Sequence, residues 1–163
     1  MLTKVHHTGI TVTDYKRSMD FYCGILGMEV VFEAKLEGNR AAAAVFKTAD
    51  HAVTVAMLAV PADLGGGMVE LFHFERPKPE PAPPHTPWQP GWTHICLTTN
   101  DIEGSYARLR ERGVRFTSPP IEFTAEGVTM VTAPRLAGPG SGRSVITYFY
   151  DPDGVLIELA QFS

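Results

Sequence analysis

Residues 91–116, GWTHICLTTNDIEGSYARLRERGVRF, predict a strand followed by a helix. Trp92–Thr99 is rich in the aromatic and β-branched residues that favour strands. Asn100 or Asp101 can cap the helix, and Gly113 can end it. Apolar residues recur at helical spacing between these limits, at Ile102, Tyr106 and Leu109. The stretch therefore indicates a β-α unit.

The same order of a strand, a capping residue, a helix and a glycine stop occurs a second time, from about residue 4 onward. Lys4–Val12 predicts a strand, Asp14 offers a capping side chain, and Gly27 marks a stop. Between Asp14 and Gly27, apolar residues recur at helical spacing, at Tyr15, Met19, Tyr22 and Leu26. A second β-α unit is the simplest interpretation.

Each of the two helices is followed by segments with strand character. In the first half these are Met28–Lys35, Val53–Val60 and Met68–Phe74, and in the second half Val114–Thr117, Val145–Tyr150 and Val155–Phe162. An alanine-rich piece near Arg40–Thr48 predicts a short helix, and Asp151-Pro152-Asp153-Gly154 predicts a hairpin turn. Each half is thus a βαβββ module, and the fold class is α+β with an internal duplication.

A proline-rich stretch separates the two modules. Seven of the 13 prolines fall within residues 76–91, where neither a helix nor a central strand can be sustained. We expect module 1 at about residues 4–75, a linker at 76–91 and module 2 at about 92–163, together forming one structural domain over 1–163. Arg135–Ser144 holds three glycines and a proline, which predicts a mobile loop that covers a pocket.

Charge and hydropathy exclude several classes of partner. A net charge of −4 with no local cluster of lysine and arginine argues against nucleic acid. The longest apolar runs, such as Val53–Val60, are far too short to span a membrane, and the polar first residues lack a signal-peptide core. Cys23 and Cys96 form no CxxC pair, which suits a reducing compartment. We therefore expect a cytoplasmic protein.

Histidine and glutamate recur at matched positions in the two modules. His7 and His94 each lie on the predicted first strand of their module. Each is followed seven residues later by an aspartate, Asp14 or Asp101. Glu70 follows His7 by 63 positions, and Glu158 follows His94 by 64, both on the last strand. On a strand, the residues two positions away from these side chains share their face, and many of them are apolar.

Two imidazoles and two carboxylates on such a face predict a metal site. Burying them unpaired would cost free energy, whereas one divalent cation would neutralise both carboxylates. A set of two nitrogens and two oxygens with room for water suits Ni²⁺, Co²⁺, Zn²⁺, Fe²⁺ or Mn²⁺ in an open, catalytic shell. His6 faces the opposite way from His7, so a shift of one residue in register would exchange the two as ligands.

Five stretches resemble one known family. They are VHHTGITVTD, SMDFYCGILGMEVVFE, MVELFHF, GWTHICLTTNDIEGSYARLRERGVRF and YFYDPDGVLIELAQ. All are similar to motifs of the vicinal oxygen chelate superfamily, also called the glyoxalase/bleomycin resistance/dioxygenase group. The resemblance implies two βαβββ modules that form an incomplete barrel around one divalent metal ion. It places the ligands at His7, Glu70, His94 and Glu158.

The resemblance implies a reaction class as well as a fold. We expect a metal-dependent lyase or isomerase of the glyoxalase type, similar to lactoylglutathione lyase, with Glu158 as the first candidate for the proton-transfer residue and Glu70 as the second. The alternatives are an extradiol-type dioxygenase that uses His7, His94 and Glu158 with Fe²⁺, or a metal-free protein that binds a small molecule or antibiotic. The expected partner is a small-molecule substrate, and a homodimer is an open alternative to a monomer.

Several other side chains allow a functional and a structural interpretation. Cys96 shares a face with His94 and could line the pocket or be an ordinary buried thiol. Arg143 could bind an anionic substrate or be a solvated arginine. An aromatic pocket wall, or simple core filling, is predicted for Phe72, Phe74 and Trp92. We place three histidines outside the site: His51, His73 and His85.

Overall fold

The structure is a computed structural model that describes residues 3–63, 67–80, 88–123 and 143–163. The chain divides into two compact units, Met1–Pro83 and Pro84–Ser163. The division falls inside the stretch that the prolines predict to be a linker. Each unit contains a four-stranded mixed sheet and at least one α-helix, so the α+β class with two βαβββ modules is confirmed.

The described part of the first unit has four strands and two α-helices. In chain order they are β1 His7–Thr11, α1 Tyr15–Met19, β2 Glu29–Glu37, α2 Arg40–Phe46, β3 Ala52–Ala59 and β4 Met68–Arg76. The strand order across the sheet is β1-β4-β3-β2, with β1 parallel to β4 and the other pairs antiparallel. The sheet is open, and the first strand of the chain lies beside the last strand of the module.

Local chemistry explains where the helices of this unit begin. The Asp14 carboxylate accepts a hydrogen bond from the Arg17 amide at 3.0 Å, which satisfies one of the free N–H groups of the first turn. The helix predicted as far as Leu26 is α-helical only to Met19 and continues as a π-helical segment, Asp20–Ile25. The short alanine-rich helix is confirmed as α2, which Asn39 caps through the Ala42 amide at 2.9 Å.

The two faces of β4 differ in burial. Val69 and Leu71 are fully buried, whereas Glu70, Phe72 and Phe74 on the other face are only half-buried. Strand alternation produces this split because successive side chains point to opposite faces. One face of β4 therefore belongs to the core, and the other carries the glutamate.

The second unit repeats the topology of the first. Its elements are β5 Ile95–Thr98, α3 Ile102–Glu111, β6 Ile121–Phe123, β7 Ser144–Tyr150 and β8 Leu156–Phe162. The strand order is β5-β8-β7-β6, with β5 parallel to β8. Of the two capping residues considered, Asp101 caps α3 by accepting from the Gly104 amide at 2.9 Å, and Gly113 has a positive φ of 87° just after the helix.

One predicted strand is wrong. Val114–Thr117 forms no strand, and its one ladder contact is an isolated bridge between Phe116 and Phe149. The Phe116 ring packs instead between Tyr106 and Phe149, at centroid distances of 4.6 and 5.1 Å, and so ties the helix to the sheet. Two prolines follow, and the second strand of the module begins only after them, at Ile121.

The predicted hairpin turn joins β7 to β8. The Asp151 carboxylate accepts hydrogen bonds from the amides of Asp153 and Val155 at 2.9 and 2.7 Å. The Asp151 amide also donates to the Val155 carbonyl at 2.9 Å, and Gly154 takes the positive φ that the turn requires. These bonds fix the register of the hairpin.

Two expectations fall at the limits of the described chain. The predicted mobile loop Arg135–Ser144 lies outside the described residues except for its last two. None of the helices within the described ranges has the length and apolar character that crossing a membrane would require.

Candidate metal centre

The first histidine–glutamate pair lies on the parallel strands β1 and β4. His7 is the first residue of β1, and Gly9, two residues later, is in register with Glu70. His7 Nε2 lies 3.1 Å from Glu70 Oε2. The His6 ring lies instead beside His7, with 2.9 Å between the Nδ1 atoms of the two rings. The structure therefore brings His7, and not His6, to Glu70.

The second pair lies on the parallel strands β5 and β8. His94 directly precedes β5, and Cys96 is in register with Glu158. His94 Nε2 lies 2.8 Å from Glu158 Oε2. In both units the glutamate stands opposite the residue that follows the histidine by two positions. The internal duplication therefore extends to the geometry of these side chains.

Burial within each pair is uneven. The carboxylate side chains of Glu70 and Glu158 are only 16% and 10% exposed, whereas the imidazoles of His7 and His94 are 39% and 33% exposed. A carboxylate so far removed from water needs a compensating partner, and each histidine supplies one. The exposed edges of the imidazoles leave each pair open to an incoming ligand.

The spacing of each pair fits neighbouring ligands of one metal ion. Ligand atoms about 2.1 Å from an ion and at right angles to each other are about 3.0 Å apart, close to the separation in both pairs. Each pair alone supplies one nitrogen and one oxygen. Within the described ranges, no group of three or more histidine, cysteine, aspartate or glutamate side chains is close enough to hold an ion.

Tyr148 is a member of the second site that the sequence reasoning missed. It lies directly opposite Glu158 across the β7–β8 pair, and its hydroxyl is hydrogen-bonded to the Glu158 carboxylate. Its ring meets the His94 ring edge-on, with 5.6 Å between centroids. Burial, together with the negative charge of Glu158, raises the pKa of Tyr148 to about 12, so the phenol stays protonated and donates its hydrogen bond at neutral pH.

Cys96 is a neighbour of this pair as well. Cys96 is an exposed residue rather than an ordinary buried thiol, but partial desolvation of its sulfur and the charge of Glu158 raise the pKa of the Cys96 thiol to about 11. The side chain is therefore a neutral thiol at neutral pH, without the thiolate character that a nucleophile needs.

Aromatic side chains continue the Glu70 face of the first unit. Phe72 and Phe74 lie two and four residues along β4, and their rings are stacked with 6.3 Å between centroids. Phe46 of α2, which the sequence reasoning missed, packs edge-on against both, at 6.0 and 5.1 Å. Trp92 belongs to the second unit and is 57% exposed.

The other charged candidates have partners away from the two pairs. Arg143 Nε donates to Glu122 Oε2 at 3.1 Å, so it forms an exposed ion pair at the edge of the second sheet. His51 is buried and accepts a hydrogen bond from the Asn39 amide at 3.2 Å. His73 lies beside Tyr15, with 6.1 Å between ring centroids. His85 falls outside the described residues.

Known proteins resemble the chain over almost its whole length. A protein of Escherichia coli, named as uncharacterized protein YaeR, is 30% identical over 162 residues, which cover 97% of this chain and 95% of that protein. A Synechocystis protein named "Probable lactoylglutathione lyase" is 26% identical, with 96% of this chain and 94% of that protein covered. The crystal structure of a glyoxalase family protein from Bacillus cereus superposes with a TM-score of 0.74 at 21% identity, covering 99% and 95% of the two chains.

A family model provides the assignment. The model of the Glyoxalase/Bleomycin resistance protein/Dioxygenase superfamily matches residues 4–159, which include both histidine–glutamate pairs and the duplicated strand order around them. The chain therefore belongs to the Glyoxalase/Bleomycin resistance protein/Dioxygenase superfamily.

Proposed function

We propose that the chain is a metal-dependent lyase or isomerase of the glyoxalase type. Its substrate is a small molecule with two neighbouring oxygen atoms. The observation that carries the proposal is the matched register of the two histidine–glutamate pairs, each with its side chains about 3 Å apart. A structural role alone does not require the same two residue types at the same register in both modules.

The proposed ligands of one divalent ion are His7, Glu70, His94 and Glu158. Each pair contributes a nitrogen and an oxygen at a spacing that suits adjacent ligands. When bound, the ion would polarise the substrate oxygens and stabilise negative charge that develops on them. The glutamates also balance the charge of the ion, which favours a divalent cation in a poorly hydrated position.

The protein's own residues then move the proton. Glu158 would take a proton from the hydroxyl-bearing carbon beside the carbonyl and return it to the carbonyl carbon, while the hydroxyl proton passes to the former carbonyl oxygen, so that the reaction is a net isomerisation. Its low exposure supports this role because a carboxylate shielded from water keeps the proton it has taken. Glu70 is the second candidate for the same task.

Two features bear on the substrate. The Synechocystis relative is named as a probable lactoylglutathione lyase, and a related thioester or hemithioacetal substrate is proposed for this chain. The aromatic cluster of Phe46, Phe72 and Phe74 lies on the Glu70 face and would suit an apolar group attached to the reacting carbons.

The test combines metal analysis with a substrate screen. Protein purified without added metal is analysed for bound ions, then reconstituted and offered hemithioacetals, acyl-CoA thioesters and catechols while oxygen uptake is followed. Turnover without oxygen consumption supports the proposal. Turnover of a catechol with matched oxygen uptake would establish the dioxygenase instead. Ligand binding with no metal and no turnover would indicate a sequestering protein.

A further inference from the structure

Tyr148 contacts both members of the second pair. Its hydroxyl bonds to the Glu158 carboxylate, and its ring stands edge-on to the His94 ring at 5.6 Å. The phenol ring is half-buried on β7. Few side chains could restrain both residues at once, because this needs a rigid ring for the imidazole and a donor for the carboxylate.

The first unit has no such side chain at the corresponding position. Met57 stands opposite Glu70 on β3, as Tyr148 stands opposite Glu158 on β7. Met57 is buried in a small apolar cluster with Ala59 and Met68 and carries no hydrogen-bond donor. The duplicated pairs therefore differ in how their carboxylates are held.

We propose that Tyr148 is a positioning residue that fixes the Glu158 carboxylate against His94 and so prepares the second pair, and not the first, for a cation. This inference rests on the proposed function, since it assumes that the pairs are metal ligands. It also gives a reason for Glu158 to be the proton-transfer residue: the phenol holds its carboxylate in place while the proton moves.

The expected advantage comes from pre-organisation. The terminal torsion of a glutamate is broad, so an unrestrained carboxylate loses rotational freedom when it binds an ion. A hydrogen bond from a half-buried phenol removes much of that freedom in advance. Partners that orient metal ligands in this way typically change metal affinity by about 10–100-fold when they are removed.

The first test measures the affinity for Zn²⁺ and Co²⁺ by competition with a chromophoric chelator. Tyr148→Phe keeps the ring and removes the hydroxyl, and we expect affinity to fall by about 10-fold. Tyr150→Phe, on the exposed end of the same strand, is the matched control and should stay within about 2-fold of wild type. An unchanged affinity for Tyr148→Phe overturns the inference while leaving the proposed metal site intact.

A double-mutant cycle asks whether the effect passes through Glu158. In a Glu158→Ala background the hydroxyl has no carboxylate to hold, so adding Tyr148→Phe should change affinity by less than about 2-fold. The same 10-fold loss in this background would show that Tyr148 acts by another route, and the inference would be wrong.

A metal-free readout separates this inference from the proposed function. The side-chain nitrogen resonances of His94 and His7 are recorded by NMR in the metal-free protein. In Tyr148→Phe we expect those of His94 to shift because its carboxylate partner is released, while those of His7 stay in place. An unmoved His94 overturns the inference whether or not the wild-type protein binds metal. Absence of metal binding in wild type would contradict the proposed function, and with a shifted His94 it would leave standing only the part of the inference that Tyr148 fixes the Glu158 carboxylate against His94.

Discussion

The ring of Phe72 lies against Gly9, so that a Cβ atom on Gly9 would sit 3.0 Å from Phe72 Cε2. Gly9 is also the residue in register with Glu70, and it follows His7 by two positions. The missing side chain at Gly9 therefore leaves the space that the Phe72 ring occupies beside the first pair. Packing, and not backbone conformation, requires a glycine at this position, because the φ angle of Gly9 is not positive.

Gly9→Ala is expected to destabilise the protein. The added methyl group would force the Phe72 ring to move within the aromatic cluster, and overpacking of this kind costs about 1–3 kcal/mol. Urea unfolding measures the difference. Gly24→Ala is the control, since a Cβ atom there meets nothing within 4 Å, and it should not lower stability. A Gly9→Ala protein as stable as wild type would show that the ring yields at no cost.

His94→Ala is expected to lower the metal content sharply. The substitution removes one of four proposed ligands and leaves the buried Glu158 carboxylate without its imidazole partner. The measurement is elemental analysis after dialysis against a fixed concentration of free Zn²⁺. His73→Ala is the matched control. His73 lies on the face of β4 opposite to Glu70, and its ring packs beside Tyr15. Undiminished stoichiometry in His94→Ala would remove His94 from the site.

Cys96 should react slowly with alkylating reagents near neutral pH. Raising the pKa of its thiol from 9.0 to about 11 reduces the thiolate fraction at pH 8 by about 100-fold, and the thiolate is the reactive form. The rate of iodoacetamide modification is followed by mass spectrometry on metal-free Cys23→Ala protein, so that only Cys96 reacts. It should rise with pH up to about pH 11.

The charge of Glu158 contributes to that shift, and a second variant isolates it. Glu158→Gln removes the negative charge, so the pKa of Cys96 should fall and alkylation at pH 8 should accelerate. The partial desolvation of the thiol remains, so the rate should stay below that of an unperturbed thiol. No acceleration in Glu158→Gln would contradict the contact between the two side chains.

The fold was largely predictable because its signals are local. Asp14, Asp101 and the turn at Asp151 act within a few residues of their own position, and each does so in the structure. The failures have non-local causes. Phe116 is an aromatic residue of the kind that favours strands, but its ring packs between Tyr106 and Phe149. The hydrophobic periodicity of the sequence does not predict this contact.

The candidate site was predictable only in part for a similar reason. Repetition in the sequence pointed to His7 with Glu70 and His94 with Glu158. Tyr148 has no counterpart in the repeat, because Met57 stands at its position. A signal did exist in the hairpin turn, where Asp151 pairs with Val155. The residue three positions before Asp151 is Tyr148 and the residue three positions after Val155 is Glu158, so the turn places these two residues opposite each other.

Glu158→Gln tests the proposed chemistry most directly. The amide keeps an oxygen that can bind a cation and accept from Tyr148, but it cannot take a proton from carbon, so the variant should retain much of its metal and lose most of its turnover. Turnover of the best substrate from the screen and metal content are measured on the same samples. Glu122→Gln, which affects only an exposed ion pair with Arg143, is the control.

The same preparations decide between proton transfer and oxidation. A proton transfer consumes no oxygen and changes no oxidation state, so wild-type activity should persist without oxygen and with Zn²⁺, Ni²⁺ or Co²⁺ supplied. Activity restricted to Fe²⁺ or Mn²⁺, with oxygen uptake equal to product formed, would contradict the lyase or isomerase proposal. In that case His7, His94 and Glu158 would suffice as ligands, and Glu70 would have no role in the reaction.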